Sequence, residues 1–573
     1  MATKLNLGAA TEPRYAGKVV ASWELQRIEK LPRRILDLND IPDLSPLFVR
    51  ERSPYRLWPI QSAALIEAAA QNGLFAPIRA GAGKTLIGLL LPEALDSDCA
   101  VYLVKPSLKR QLIRELDEFY CKHFLIPRDR LHIVSYHELS DAETDDILDE
   151  LNPDAIIADE AHCLKNPKSV RTGRFLRFME EHPQCRFAGM SGTMTTRSLK
   201  EYSHLAELAL HKNSPVPKSY QELRAWSGAL DAKPAELFEP GALLRFCNED
   251  ETPRQGFHRR LVETPGVVGT SEAETGSSLL MRPIQIKIPS QITEMIADLL
   301  HTWKLVDEAH DFIDEITEAT VLAAYRRQLS SGFYYVWDWP NTGIDREWMT
   351  ARANWNREVR EKRKRPVAGM DSPLLLERAA ERMHKWVEEG SKPPQPAKCW
   401  DSAYWPEWRL FKDQPKPPTI PVWIDDFIVR ASIVWAKKQD KKAIIWYEHR
   451  AVGEALAKHF PFYGPGADAD LATEPVIVCS IEAQGTGKNL QHQYSRNLFT
   501  SFAPSGSKLE QLMARTHRPG QPEDEVICDY FQHTCTESLE RIMDDDAPYV
   551  QESMGQLQRV FYATHLDLIS LKY

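Results

Sequence analysis

Short apolar runs recur along the chain, and the segments that follow them carry apolar residues at helical spacing, so the pattern predicts strands joined by helices. One such run lies at residues 74–78, ahead of a glycine turn and the helix-like TLIGLLLPEAL. A second, DAIIAD, reads as a buried strand that ends on Asp159 and Glu160. A third opens KKAIIWYEHRAVGEALAKHF, from Lys441, where a buried-strand run passes into an amphipathic helix and predicts a second α/β unit. VIVCSIEAQGTGKNLQ, from Val476, again sets a strand before a glycine loop. Between these units, at about 215–420, lies a stretch longer than a linker with helical patterns of its own, and the chain beyond about 545 also reads as helical. SKPPQPAK, from Ser391, and KDQPKPP, from Lys412, cannot continue a helix and mark breaks before the second unit.

At 573 residues the chain exceeds what one hydrophobic core supports, and roughly three or four domains are expected. No apolar run approaches the ~18 residues of a membrane span, so no membrane partner is expected. The opening MATKLNLGAATEPRYAGK lacks an apolar core of the secretory kind, which makes a cytoplasmic place the expectation. The nine cysteines are scattered with no zinc-like spacing and read as reduced thiols, mostly buried. A net charge of -10 and a pI near 6.0 exclude coating of nucleic acid by bulk charge; any such contact has to be local.

The chemistry begins at Gly81-Ala82-Gly83-Lys84-Thr85. A strand, a glycine turn and a helix start in that order are what a phosphate loop needs: Gly81 and Gly83 would let backbone N–H groups close on phosphates, Lys84 would reach the β/γ-phosphates, and Thr85 would ligate magnesium. The strict eight-residue pattern places a glycine where Ile78 stands, and an ordinary helix-start loop is the bland alternative. Asp159 at a strand end is placed to hold magnesium and Glu160 to polarise the attacking water; a solvated acidic turn is the alternative here. In KLEQLMARTHRPGQ, from Lys508, Gln511, Arg515 and Arg518 fall at i, i+4 and i+7 and are expected on one helix face. Such a face is ordinarily solvated; facing a phosphate loop, it would neutralise charge on a transferring phosphoryl group.

Asp159-Glu160-Ala161-His162, followed by Leu164-Lys165-Asn166, resembles the DEAH-type motif II of superfamily 2 helicases, and the trailing L-K-N resembles the Swi/Snf-like branch of duplex-DNA translocases. Further motifs follow in the family's order. Gln61, in LWPIQSAAL, matches the glutamine that reads the adenine edge, with Trp58 where a basic residue often stands. VYLVKPSLKRQLIREL resembles motif Ia, LHIVSYHEL the Ser-Tyr segment after it, and FAGMSGTM motif III, with Ser191 and Thr193 linking nucleotide to nucleic acid. The run from Lys441 resembles motif IV. The run from Val476 resembles motif V, including Gly487, Asn489 and Gln491, with Gln484 replacing a family glycine. The run from Lys508 resembles motif VI through Gly520 and Gln521, which implies Arg518 as the arginine finger and Arg515 as its companion.

The resemblance implies an α/β fold of two RecA-like lobes with parallel sheets and a largely helical insertion between them. The expected boundaries are an N-terminal extension at 1–44, lobe 1 at 45–215, the insertion and linker at 216–420, lobe 2 at 421–545 and a helical tail at 546–573. It implies Mg-ATP hydrolysis driving movement along DNA, duplex ahead of single strands and RNA behind both. The minimal second lobe resembles the compact bacterial or bacteriophage form, hence the cytoplasm of a bacterium or an infected host cell. The implied nucleotide-site residues are Gln61, Gly81, Gly83, Lys84, Thr85, Asp159, Glu160, Gly487, Gln511, Arg515 and Arg518, with Thr85 and Asp159 on the metal. Rival readings are a non-catalytic nucleotide-sensing DNA scaffold, an RNA helicase, and a motor subunit serving a separate nuclease or modification enzyme.

Within the insertion, residues 346–365 hold eight basic side chains against three acidic ones, a local balance of +5. The basic residues are Arg346, Arg352, Arg357, Arg360, Lys362, Arg363, Lys364 and Arg365. Trp337, Trp339, Trp348 and Trp355 interleave with them. Two readings stand: a nucleic-acid surface with stacking rings, or a solvated helix anchored by core tryptophans.

Overall fold

The computed structural model describes residues 15–79, 81–270, 276–307, 312–316, 319–339, 345–364, 367, 370–390 and 398–573. Arg365, the first fourteen residues and the proline-rich stretch 391–397 fall outside that set.

Five strands form the first sheet, in the order Gly73–Ala76, Arg186–Met190, Ala155–Asp159, Ala100–Val104, Leu131–Ser135, all parallel. Gly73–Ala76 and Ala100–Val104 are buried at every residue. Helices cover both faces of such a sheet, so these strands read as continuous apolar runs. The helices Lys84–Ala94, Pro106–Glu115 and Val170–Glu181 supply crossovers between them.

The first core reaches beyond the expected 45–215. It takes in Val19, Leu25 and Ile28 on one side and Trp226, Phe246, Phe257 and Leu261 on the other. Arg260, 1% exposed, ties the two flanks together by donating from Nε and Nη2 to the Ile28 carbonyl at 3.2 and 3.1 Å. Residues 216–268 therefore belong to the packing of the first sheet and not to a separate insertion.

Eight parallel strands form the second sheet, in the order Phe462–Tyr463, Val476–Ser480, Ala443–Tyr447, Arg496–Phe499, Glu525–Phe531, Ser278–Gln285 and Thr564–His565, with Ile569–Ser570 also on Ser278–Gln285. The sequence pattern placed Ser278–Gln285 in the insertion and the last two strands in a helical tail. The register of Ser278–Gln285 on Glu525–Phe531 is set by a long-range ion pair that no local pattern carries. Asp529, fully buried, accepts from Arg282 Nε at 2.7 Å and Nη2 at 2.9 Å and from Trp435 Nε1 at 2.7 Å. A buried carboxylate satisfied in this way holds Glu525–Phe531 against Ser278–Gln285 residue for residue.

The remaining insertion leaves the second body through the antiparallel pair Phe333–Trp337 and Thr419–Trp423. Its helices Arg346–Lys362 and Pro373–Glu388 pack with Trp355, Trp400 and Trp405 around Leu376, Ala379 and Ala380. The insertion docks on the first body, where Arg174 meets Asp371 at 3.0 Å with side chains 3% and 6% exposed. Among the described residues no helix is long and apolar enough to cross a membrane. All nine cysteines are free; four are buried and five half-buried, fewer buried than expected.

Candidate functional site

The phosphate-loop segment follows the edge strand Gly73–Ala76 and ends at Gly83, whose φ of 76° caps the helix Lys84–Ala94. A Cβ on Gly83 would lie 2.2 Å from Gln61 Nε2 and displace the end of that side chain, but it is the left-handed backbone that calls for glycine here. Gln61 is buried on the helix Pro59–Gln71; its Oε1 accepts from Trp58 N at 2.8 Å and its Nε2 faces the Gly83 carbonyl at 3.5 Å. Lys84, 8% exposed, donates from Nζ to the Arg79 carbonyl at 3.1 Å. Thr85 is the next residue of the helix, half-buried.

Asp159 ends the central strand, with Tyr102 Oη donating to its Oδ2 at 3.2 Å and Glu160 N to its Oδ1 at 3.0 Å. Glu160 turns sharply out of the strand at φ 55°, a left-handed conformation costly for a non-glycine residue. Its Oε2 lies 3.2 Å from His162 Nδ1 and accepts from Ser191 Oγ at 3.3 Å, and His162 Nδ1 lies 2.8 Å from Ser191 Oγ. Burial pushes the Asp159 carboxyl up, reinforced by the Glu160 charge and opposed by Lys84. Burial also acts against ionised Glu160, but its bond to His162 and the Lys84 charge override it and hold the carboxyl well below its ordinary range. The two adjacent carboxyls are thus driven apart, Glu160 staying ionised. Thr193 donates its backbone N–H to Ser191 Oγ at 3.0 Å, so the Ser191–Thr193 turn is tied directly to the carboxylate pair.

The second body brings its own residues to this place. The helix Gly506–Met513 carries Gln511, but it stops before Arg515 and Arg518, which lie on the turns that follow. The single helix face expected from their spacing is thus absent. Arg515 instead donates Nε back to the Gln511 carbonyl at 2.9 Å and Nη1 to the Lys488 carbonyl at 3.1 Å. Arg518 Nη1 reaches the same Lys488 carbonyl at 3.4 Å. A Cβ built on Gly81 would lie 3.8 Å from Arg518 Nε, so this guanidinium faces the phosphate loop across the space a side chain there would fill. Burial, then the Arg518 charge, lower Arg515 to about 9.

Two cavities adjoin the loop. One, of about 270 Å³, is lined by Trp58, Pro59, Ile60, Gly81, Ala82 and Pro519, together with Arg79, Thr270 and Arg559. The other, of about 90 Å³, is lined by Glu160, Thr193 and Gln511, and again by Arg79, Thr270 and Arg559.

The structure therefore brings together Gln61, Gly81, Gly83, Lys84, Asp159, Glu160, Gln511, Arg515 and Arg518. Gly487 lines neither cavity. It packs where a Cβ would come within 2.1 Å of Leu108 Cδ2, so its role here is contact between the two bodies. Gln484, in place of a family glycine, is buried and bonds the Gly464 and Ala467 carbonyls at 3.0 and 2.9 Å, holding the neighbouring loop. Asn489 is exposed and Gln491 buried. Sequence reasoning missed Arg79, Thr270 and Arg559, which carry no motif spacing. Among the described residues no cluster of three or more His, Cys, Asp or Glu is arranged to hold a metal ion. Neither a protein-family model nor a curated protein matches this chain.

Proposed function

We infer that this chain is a nucleic-acid-stimulated ATPase of the superfamily 2, Swi/Snf-like kind, its two sheets being RecA-like lobes that close on one Mg-ATP. The observation that carries the reading is Arg518 of the second body standing against Gly81 of the first. An arginine delivered from across a cleft onto a phosphate loop matches the charge that develops in phosphoryl transfer. Beside it, Lys84 supplies a buried cation and Glu160 an ionised carboxylate. Trp58, half exposed at the mouth of the larger cavity, offers a stacking face for a base next to Gln61.

The Thr85 hydroxyl and the Asp159 carboxylate are both oxygen donors, the type that would suit magnesium completed by phosphate oxygens and water. Bound there, the ion would supply charge neutralisation at the phosphates. Glu160, kept ionised by His162, would accept hydrogen bonding from the attacking water; Arg518 and Arg515 would take up charge on the phosphoryl oxygens.

DNA is the proposed polymer, duplex first. The exposed basic residues Arg346, Arg357, Arg360 and Lys364 of the insertion support a local contact surface. Trp348 and Trp355, at 3% and 4% exposure, serve as core anchors instead of stacking platforms.

The test is ATP turnover by wild type and Lys84→Ala, alone and with duplex DNA, single-stranded DNA or RNA. Duplex-stimulated hydrolysis that the substitution lowers by about 10² or more is the expected result. Absence of turnover with every polymer would leave a nucleotide-sensing scaffold.

A further inference from the structure

The segment 555–562 follows the helix Ala547–Met554 and precedes the last two strands, beyond every motif residue of the nucleotide site in sequence. It nevertheless crosses the cleft. At one end Gln556, 4% exposed, donates from Nε2 to the carbonyl of Pro77, just ahead of the phosphate loop, at 3.0 Å. Its Oε1 has no hydrogen-bond partner, and the side chain lines the cavity that Glu160 and Gln511 also line. At the other end Arg559, 3% exposed, pairs with Glu510 through Nη1, while Glu510 Oε2 accepts from Arg559 N at 2.9 Å. Arg559 Nη2 donates to the His517 carbonyl at 3.1 Å.

These partners flank the turn that carries the two arginines. Glu510 precedes Gln511 on the helix Gly506–Met513, and His517 precedes Arg518. One planar guanidinium therefore staples both ends of the segment from 510 to 518, through two separated nitrogens in a fixed fork that a lysine ammonium, with its donors on one atom, does not match. We propose that segment 555–562 is a working part of the nucleotide site, with Arg559 a positioning residue that fixes Arg518 against the phosphate loop and Gln556 the anchor on the opposite wall. The inference rests on the ATPase reading above and deepens it: nucleotide occupancy and the setting of this segment are coupled.

The experiment compares Arg559→Lys and Arg559→Gln with wild type, alone and combined with Arg518→Ala, after thermal melting has established which variants fold. Because Arg559 acts through Arg518, kcat is expected to fall about tenfold or more with KM for ATP within about threefold. In the Arg518→Ala background the same change is expected to cost nothing further. Hydrogen exchange of 555–562 in wild type is read in parallel and is expected to slow on addition of ATPγS. A folded Arg559 variant with wild-type kcat, or one whose loss multiplies with that of Arg518→Ala, overturns the proposal. Should wild type show no turnover, the ATPase reading fails separately; exchange of 555–562 unchanged by ATPγS then overturns the coupling, and slowed exchange upholds it.

Discussion

At Asp231 burial outweighs hydrogen bonds from Ser198 Oγ at 2.6 Å and Leu199 N at 2.8 Å, and the carboxyl is pushed up to about 6. The folded protein holds this proton more tightly than the unfolded chain does. Its contribution to stability is present below about pH 4 and lost as pH rises through about 6. Asp231→Asn mimics the protonated form, so the variant should gain on wild type by about 1–3 kcal/mol between pH 4.5 and 7.5. Urea denaturation of both proteins at the two pH values measures this, and a difference that stays constant or shrinks would refute it. The same physical chemistry works in the site: burial pushes Asp159 up, reinforced by the Glu160 charge, whereas at Glu160 the bond to His162 and the Lys84 charge override burial and the carboxyl goes down.

Among the elements, the insertion has the clearest separable attachment. Arg174 donates Nε and Nη2 to Asp371 at 3.2 and 3.0 Å and also bonds the Leu139 carbonyl from Nη1 at 3.3 Å. Removing the carboxylate leaves a buried cation without its counter-charge, a loss of about 3–5 kcal/mol. Asp371→Ala should therefore release the helices Arg346–Lys362 and Pro373–Glu388 from the first body. Limited proteolysis should then cut within 338–418 well before the two sheets, whereas a wild-type cleavage pattern would show that docking rests on other contacts. The elements also divide by how far they could be read from sequence. Strand, glycine turn and Lys84, or strand and Asp159-Glu160, were legible because contiguous residues must meet one chemical demand. The place of Ser278–Gln285 in the second sheet was not, since it depends on Arg282 meeting Asp529 across 247 residues. Two-residue strands such as Thr564–His565 carry no periodicity, so the tail read as helix throughout. Spacing placed Arg515 and Arg518 on a helix that in fact stops at Met513, yet both reach the common Lys488 carbonyl.

At the scale of the whole molecule, two parallel sheets each bring half of a site to a shared boundary. Lys488 Nζ bonds Gln111 Oε1 at 3.2 Å, Gly487 packs on Leu108, and Arg197 pairs with Asp546 at 2.8 Å. Each contact joins a residue of the first body to one of the second, so the orientation of the sheets decides whether Arg518 reaches Gly81. On the proposed ATPase reading, the first body alone would bind nucleotide and only the two together would turn it over. Arg518→Ala tests this division most directly, with affinity for a fluorescent ATP analogue and single-turnover hydrolysis read on the same preparation. Affinity is expected to stay within about threefold of wild type and hydrolysis to slow by about 10³ or more. Hydrolysis at the wild-type rate with Arg518 removed would contradict it.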